Sequence, residues 1–93
     1  MLIAMTSIFA CNESCPVREI GDGLVIMAPS GNVTHSLEDI GAFIWQQLDG
    51  QKSLDAVLGA ITVEYKVDRE VAESDLLVFV NELLASDIIV HVS

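Results

Sequence analysis

The side chains with the most reactive chemistry in this 93-residue chain are the thiols of Cys11 and Cys15 and the imidazoles of His35 and His91. Thiolates and imidazoles bind zinc, but a closed structural zinc site needs four ligands. The C-x3-C pair has no histidine pair or second cysteine pair near it, so its spacing favours two free thiols or an adventitious disulfide. Neither histidine has a carboxylate or cysteine at a ligand-like spacing. We therefore predict ordinary surface or edge histidines, no metal and no cofactor.

Catalytic patterns and basic patches are both missing from the sequence. No nucleophile has a base at a recognisable spacing, and no glycine-rich phosphate loop is present. Fourteen Asp and Glu residues against four Lys and Arg give a formal net charge of -10. Such a surface repels phosphate backbones and anionic lipids, and it attracts a basic peptide or a basic patch on an enzyme. We predict a binding protein that is not an enzyme and that has neither nucleic acid nor membrane as a partner.

The first eleven residues are apolar and resemble a targeting segment at first sight. They have no basic region before the apolar run, and that run is short for a signal peptide and far shorter than a membrane span. The segment is better interpreted as an N-terminal strand or a loose extension, and the protein as cytoplasmic. We predict an extension over residues 1–15 and one domain over residues 16–93.

Three β-strands are predicted after this extension. Residues 17–20 form a short run, Gly21 to Gly23 supply a turn, and residues 24–27 are rich in branched apolar side chains. Apolar and polar residues then alternate over residues 32–37, as in a strand with one wet face. The three runs predict an antiparallel β-meander.

Helical periodicity replaces the alternation from about residue 36. The first helix is predicted to be capped by Ser36 and to end at Asp49-Gly50, the second to begin at Ser53, and the third to run from about Asp68 to about Ser86. Residues 88–92 are too short for a helix and suit a closing strand. The predicted fold class is α+β: a winged helix-turn-helix with an N-terminal three-stranded antiparallel β-meander packed on three helices.

The third helix carries apolar residues around more of its circumference than one core contact needs. Beside its main stripe, Leu77 and Leu84 form a second stripe that Val80 connects to the first. The main stripe consists of Ala72, Leu76, Phe79, Val80 and Leu83. The helix is either packed on two sides or forms one wall of an exposed groove, and the pattern alone leaves both open.

The order and spacing of several short motifs resemble the PqqD family, also called RiPP recognition elements. The most specific part is Ile44-Trp45 followed by Leu48-Asp49-Gly50 and then by a helix led by Ser53 and ending in Tyr65. The resemblance extends over residues 17–90 and also includes residues 24–33, Leu37, Gly41, residues 75–79 and Leu83. Leu37-Glu38 departs from the Leu-Asn that is common in the family, so we expect Ser36 to supply the cap there.

This resemblance implies a function. Similar proteins bind the leader segment of a ribosomally made precursor peptide as an extra strand on the meander edge, against the third helix, and present the peptide to a modifying enzyme. That enzyme is a radical S-adenosylmethionine enzyme in the pyrroloquinoline quinone pathway, and a cyclase or leader protease is the corresponding expectation in lasso-peptide and related systems. The expected peptide-binding residues here are Asn32, Val33, Thr34, His35, Ser36, Leu37, Leu77, Val80, Asn81 and Leu84.

Two other functions compete with leader binding. A structural adaptor or dimerisation domain, including one that exchanges the N-terminal segment between copies, also suits an exposed edge strand and a surplus apolar stripe. A DNA-binding winged helix would have to use the third helix, which carries Arg69 against four acids. That charge is the reverse of what phosphate contacts need. Trp45 can contact a peptide or belong to the core, and its position beside Ile44 favours the core.

Overall fold

The computed structural model describes residues 3–31 and 33–92. Over this part of the chain, six strands and three helices follow one another. They are β1 (Ile8–Cys11), β2 (Val17–Ile20), β3 (Gly23–Met27), β4 (Thr34–Leu37), α1 (Ile40–Gln47), β5 (Asp49–Ser53), α2 (Leu54–Glu64), α3 (Arg69–Ala85) and β6 (Ile89–His91). None of the described helices is both long and apolar enough to cross a membrane.

The predicted β-meander is confirmed. The strands β2, β3 and β4 lie side by side in that order, and both pairings are antiparallel. Gly21 adopts a φ of 60° in the β2–β3 turn, a conformation that glycine reaches without steric cost. The inner face of the meander buries Leu24, Ile26 and Leu37, so its apolar alternation is what attaches it to the core.

A second antiparallel sheet, which the sequence analysis did not predict, has the strand order β5-β1-β6. Its middle strand is β1, and Phe9 on that strand is only 1% exposed. The strand predicted at the end of the chain is confirmed as β6, which pairs with β1 over Phe9 to Cys11. Residues 8–11, interpreted from the sequence as an N-terminal strand or part of a loose extension, thus supply the central strand of this sheet.

The strand β5 has a polar sequence, DGQKS, that reads as a turn. It is extended because β1 pairs with it, with Ile8 opposite Ser53 and Ala10 opposite Asp49 around an irregularity in the register. Gly50 makes this possible: its φ is 82°, and a Cβ there would lie 3.3 Å from the Ala10 Cβ. Tertiary pairing overrides local propensity at this strand.

Two of the three predicted helix caps are confirmed. The Ser53 hydroxyl accepts a hydrogen bond from the Ala56 N–H at 3.3 Å, and the Asp68 carboxylate accepts one from the Glu70 N–H at 2.8 Å. The prediction that Ser36 caps α1 is wrong, because Ser36 is paired with Val25 in the meander.

The helix α1 instead follows Asp39, which has a φ of 50° and makes no side-chain cap hydrogen bond. Strand pairing through Leu37, which is buried, keeps the chain extended beyond the predicted cap. The left-handed residue Asp39 then turns the chain into the helix.

The core lies between the two sheets and the three helices. On α3 it buries Ala72, Leu76, Val80 and Leu83, the predicted main stripe without Phe79, which is half-buried. Trp45 is 8% exposed, so the interpretation of this residue as part of the core is confirmed. None of the described polar or charged residues is buried, so the core consists of apolar side chains.

Candidate functional site

The strand β4 has one open edge. Within the described residues, β3 is its only partner strand. Just before β4, the Ala28 N–H donates a hydrogen bond to the Val33 carbonyl at 2.8 Å, and the pairing of β3 with β4 continues in the same register. In an antiparallel ladder, alternate residues direct both backbone groups to the same neighbour. His35 and Leu37 therefore bond to β3, while Thr34 and Ser36 direct their N–H and C=O groups outward. An added strand can form up to four backbone hydrogen bonds at these two residues.

The helix α3 runs beside β4 in the opposite direction. Near its end, the Ser86 hydroxyl lies 3.1 Å from His35 Nε2. Phe79 lies about two helical turns before Ser86. The Phe79 ring and the Leu37 side chain lie 3.7 Å and 3.8 Å from the position that a Cβ on Gly41 would occupy. Phe79 on α3 and Leu37 on β4 therefore both lie beside Gly41 in the first turn of α1. The flank of α3 that carries Phe79 and Ser86 is the one that faces β4.

Helical periodicity places Asp75 and Glu82 on this same flank, within roughly 60° of Phe79 and Ser86. We call the outward edge of Thr34 and Ser36, together with the flank Asp75, Phe79, Glu82 and Ser86, the β4–α3 groove. Its helical wall is about 16 Å long, because each of the eleven steps from Asp75 to Ser86 rises by about 1.5 Å. About five residues of an extended peptide match that length.

The predicted helix wall lies on the other side of α3. Leu77 and Leu84 are about 140° to 180° around the helix from Phe79 and Ser86, and both are partly buried against the core. Asn81 is exposed and donates from its side-chain amide to the Leu77 carbonyl at 3.1 Å. Val80 is 0% exposed. The structure does not bring Leu77, Asn81 or Leu84 to β4, and Val80 presents no surface there.

The strand half of the predicted set is better placed. Thr34 and Ser36 form the open edge, His35 and Leu37 face inward, and Val33 is exposed just before β4. Asn32 lies outside the described residues. The predicted set lacks three residues of the groove: Phe79, Glu82 and Ser86. Their spacing of three, four and seven residues places them on a common flank of the helix, but nothing in the sequence indicates which flank meets β4.

The groove wall is negatively charged. Two of the four basic residues are engaged elsewhere: Lys52 Nζ lies 3.6 Å from an Asp49 oxygen, and the Arg69 guanidinium lies 3.9 Å from an Asp55 oxygen. Within the described part of the chain, Asp75 and Glu82 have no ion-pair partner. With a formal net charge of -10 over the whole chain, this wall favours a ligand that brings positive charge.

The other free edge of the meander is that of β2, and the strands β5 and β6 are the edges of the second sheet. All four residues of β2 are exposed, and Val17 and Glu19 direct their backbone groups outward because the Met27 N–H donates to the Pro16 carbonyl in the same register. Exposed Val17, Ile20 and Met27 give this edge an apolar surface of its own. A strand added to β2 would meet only side chains of the meander, whereas a strand added to β4 would also meet α3.

The Cys11 thiol lies at the end of β1, and the Cys15 thiol lies in the loop that follows, where its sulfur is 3.7 Å from the carbonyl oxygen of Asp87, the residue after Ser86. Burial raises the pKa of the Cys11 thiol, whose sulfur lies 3.5 Å from the Leu48 carbonyl oxygen, and burial likewise raises the pKa of Cys15. Both thiols are free, and they are protonated at neutral pH, where a thiol is a poor nucleophile and metal ligand. His91 stacks at a tilt on Phe9, with ring centroids 5.2 Å apart, and no group of three potential metal ligands occurs within the described residues.

Comparisons with known proteins identify a family and similar structures. A family model described as coenzyme PQQ synthesis protein D (PqqD) matches residues 23–89. A structure of TbiB1 in complex with the TbiA(beta) leader peptide is 26% identical, with a TM-score of 0.76, and the match covers 86% of this chain and 93% of that one.

A second similar structure is that of lasso peptide synthetase B1 complexed with the leader peptide. It is 27% identical, has a TM-score of 0.76, and the match covers 88% of this chain and 96% of that chain. No protein with a curated description matches the chain. The similar chains are thus of nearly the same extent as this one.

Proposed function

We propose, because this chain belongs to the PqqD family, that it binds the leader segment of a ribosomally made precursor peptide as an added strand on β4 and presents the peptide to a modifying enzyme. The observation that carries the proposal is the open edge of Thr34 and Ser36 beside the Phe79 flank of α3. Two structures of similar fold, TbiB1 and lasso peptide synthetase B1, are complexes with leader peptides. This chain offers backbone groups for affinity and a half-buried aromatic, Phe79, for selectivity.

The chain acts in this proposal as a binding domain rather than as an enzyme. Its thiols are protonated, and its histidines are engaged in a hydrogen bond and a ring contact. The chemistry therefore belongs to the enzyme that receives the peptide. A radical S-adenosylmethionine enzyme, a cyclase and a leader protease are the candidates, and a cytoplasmic location stays a prediction from the sequence.

Self-association is the competing function, and the open edge of β2 is its obvious route. When two copies of a strand pair antiparallel about a two-fold axis, side chains that lie opposite each other must point to the same face of the joined sheet. Because side chains alternate between the faces, residue i can lie opposite only residue i or a residue an even number of positions away. The two registers that pair most of β2 place Arg18 opposite Arg18 or Glu19 opposite Glu19. Like charges directly opposite destabilise a strand pair. This argument counts against self-association through β2. The flank of α3 beside the open edge of β4 is the feature that favours leader binding as the function.

A titration followed by NMR tests the proposal. The ligand is a candidate leader peptide, added to the isotope-labelled protein. Amide signals of Thr34, Ser36, Phe79 and Ser86 should shift together, while those of Glu19 on the other edge should stay in place. Shifts confined to β2, or to the Leu77 side of α3, would exclude the groove as the leader site.

A further inference from the structure

An apolar cleft continues the β4–α3 groove beyond Leu37. It lies between α1, the end of α2 and the first half of α3, and its lining includes Ile40, Ile44, Ile61, Val71, Leu76 and Asp75. Ile40 begins α1 three residues after the end of β4, so a peptide that follows β4 past Leu37 reaches this cleft next. None of the predicted peptide-binding residues lies in it.

Asp75 is the charged group among those lining residues. The floor of the cleft is formed by Ile44, Ile61 and Leu76, each at most 4% exposed, while Asp75 is exposed at the rim. An apolar occupant would fill the floor but would also remove water from the carboxylate without replacing its hydrogen bonds, which costs free energy. An occupant with an apolar stem and a cationic end satisfies both parts of the cleft.

Lysine and arginine have this shape. Their three or four methylene groups pack on apolar surface while the charged end reaches a carboxylate. Asp75 has no ion-pair partner within the described residues, so its charge is available for such a contact. The formal net charge of -10 strengthens the attraction at low salt.

We infer that the α1–α3 cleft binds a Lys or Arg side chain of the peptide that is added to β4, with the stem against Ile40 and Val71 and the charge on Asp75. The inference rests on the proposed function and specifies its ligand: a leader with a basic residue just outside the paired segment, on the side that adjoins Leu37. Glu82, farther along the same flank, adds negative potential but no apolar cleft.

A titration with a small cation tests the cleft without any peptide. The probe is n-butylguanidinium, and n-butylurea is its neutral counterpart of the same shape; each is added to the labelled protein and to two variants, Asp75→Asn and Glu73→Gln. Glu73→Gln removes the same charge from α3 on a face roughly 160° from Asp75. An exposed ion pair contributes up to about 1 kcal/mol, or about fivefold in affinity.

We expect both probes to shift the amide signals of Ile40, Val71 and Leu76, and the cation to bind about fivefold more tightly. The preference for the cation should vanish in Asp75→Asn and persist in Glu73→Gln. It should also decrease in about 0.5 M salt, because salt at that concentration screens the attraction between exposed charges. Equal affinity for the two probes in the wild-type protein would overturn the inference. A preference for the cation that survives Asp75→Asn would do so as well.

A second experiment separates this inference from the proposed function. Each Lys and Arg of a leader that shifts the β4 signals is replaced in turn by norleucine, which keeps the stem and removes the charge. One replacement should weaken binding about fivefold to the wild-type protein and leave binding to Asp75→Asn unchanged. If every replacement is neutral, the cleft inference fails while leader binding stands. If no leader engages β4, the proposed function fails, and the butylguanidinium titration still decides the specificity of the cleft.

Discussion

Ser36→Pro is the substitution that most selectively removes the open edge. The Ser36 N–H is directed away from β3, so proline removes a hydrogen-bond donor that the folded protein does not use within the meander. Proline is tolerated on edge strands when the missing N–H faces solvent, and it favours an extended residue before it, as His35 already is. We expect a folded protein with a damaged binding edge.

The expected loss of affinity follows from the hydrogen bonds. Four edge hydrogen bonds at about 1 kcal/mol each and the burial of peptide side chains on Phe79, less the cost of ordering the peptide, give roughly micromolar binding. Proline deletes one of these bonds, at about 1 kcal/mol, and leaves a peptide carbonyl without a donor, at about 1 kcal/mol more. Together these changes predict affinity about thirtyfold weaker, since about 1.4 kcal/mol corresponds to tenfold.

Calorimetry with the leader peptide measures this loss directly. Glu19→Pro is the matched control, because its N–H is directed outward from β2 in the same way but has no helix beside it. Ser36→Ala, which keeps the backbone donor, is the second control. We expect wild-type affinity for both controls and a similar thermal midpoint for all four proteins. Unchanged affinity in a folded Ser36→Pro protein, or an equal loss in Glu19→Pro, would refute strand addition at β4.

Three further predictions concern residues outside the open edge. Leu84→Ala should lower the free energy of unfolding by about 2 kcal/mol, measured by denaturant titration, because Leu84 is partly buried. Leader affinity, measured by calorimetry, should change less than twofold, and a clear loss of affinity would place Leu84 in the binding wall. Gly50→Ala should cost about 1 to 3 kcal/mol because of its φ of 82° and the 3.3 Å approach to Ala10, and unchanged stability would contradict that constraint. The raised pKa values of Cys11 and Cys15 favour the protonated thiols in the folded state, so their contribution to stability is fully present below the unfolded thiol pKa of about 8.5 and is lost as pH rises above it. The double alanine variant should show a shallower alkaline decline in denaturation curves; an identical decline would exclude the thiols as its cause.

The meander and the starts of α2 and α3 were predictable because local signals and tertiary structure agree there. Ser53 and Asp68 cap their helices as their residue types suggest, and the alternation that ends at Leu37 is the alternation of a half-buried strand. Ser36 failed as a cap because its strand pairing with Val25 outweighs one side-chain hydrogen bond. Local propensity gives the wrong boundary where pairing to a distant strand decides it.

The second sheet and the helix wall were not predictable, and both depend on contacts far apart in sequence. The pairing of Ala10 with Asp49 turns a polar, glycine-containing segment into a strand. On α3, the excess of apolar residues left two-sided packing and an exposed groove wall both open. Leu77 and Leu84 are partly buried against the core, but the pattern assigns no neighbour to either flank. The contact of Ser86 with His35, 51 positions away, shows that β4 faces Phe79 rather than Leu77.

Amide hydrogen exchange at Thr34 and Ser36 tests the open edge of β4 most directly. In the free protein these two amides should exchange quickly while those of His35 and Leu37, bonded to β3, are protected. Saturating leader should slow exchange at Thr34 and Ser36 by about a hundredfold. That factor means that the bound peptide stabilises the protected state of these amides over the exchanging state by about 3 kcal/mol. Protection at Thr34 and Ser36 without a ligand, or none gained when the leader is bound, would contradict the account.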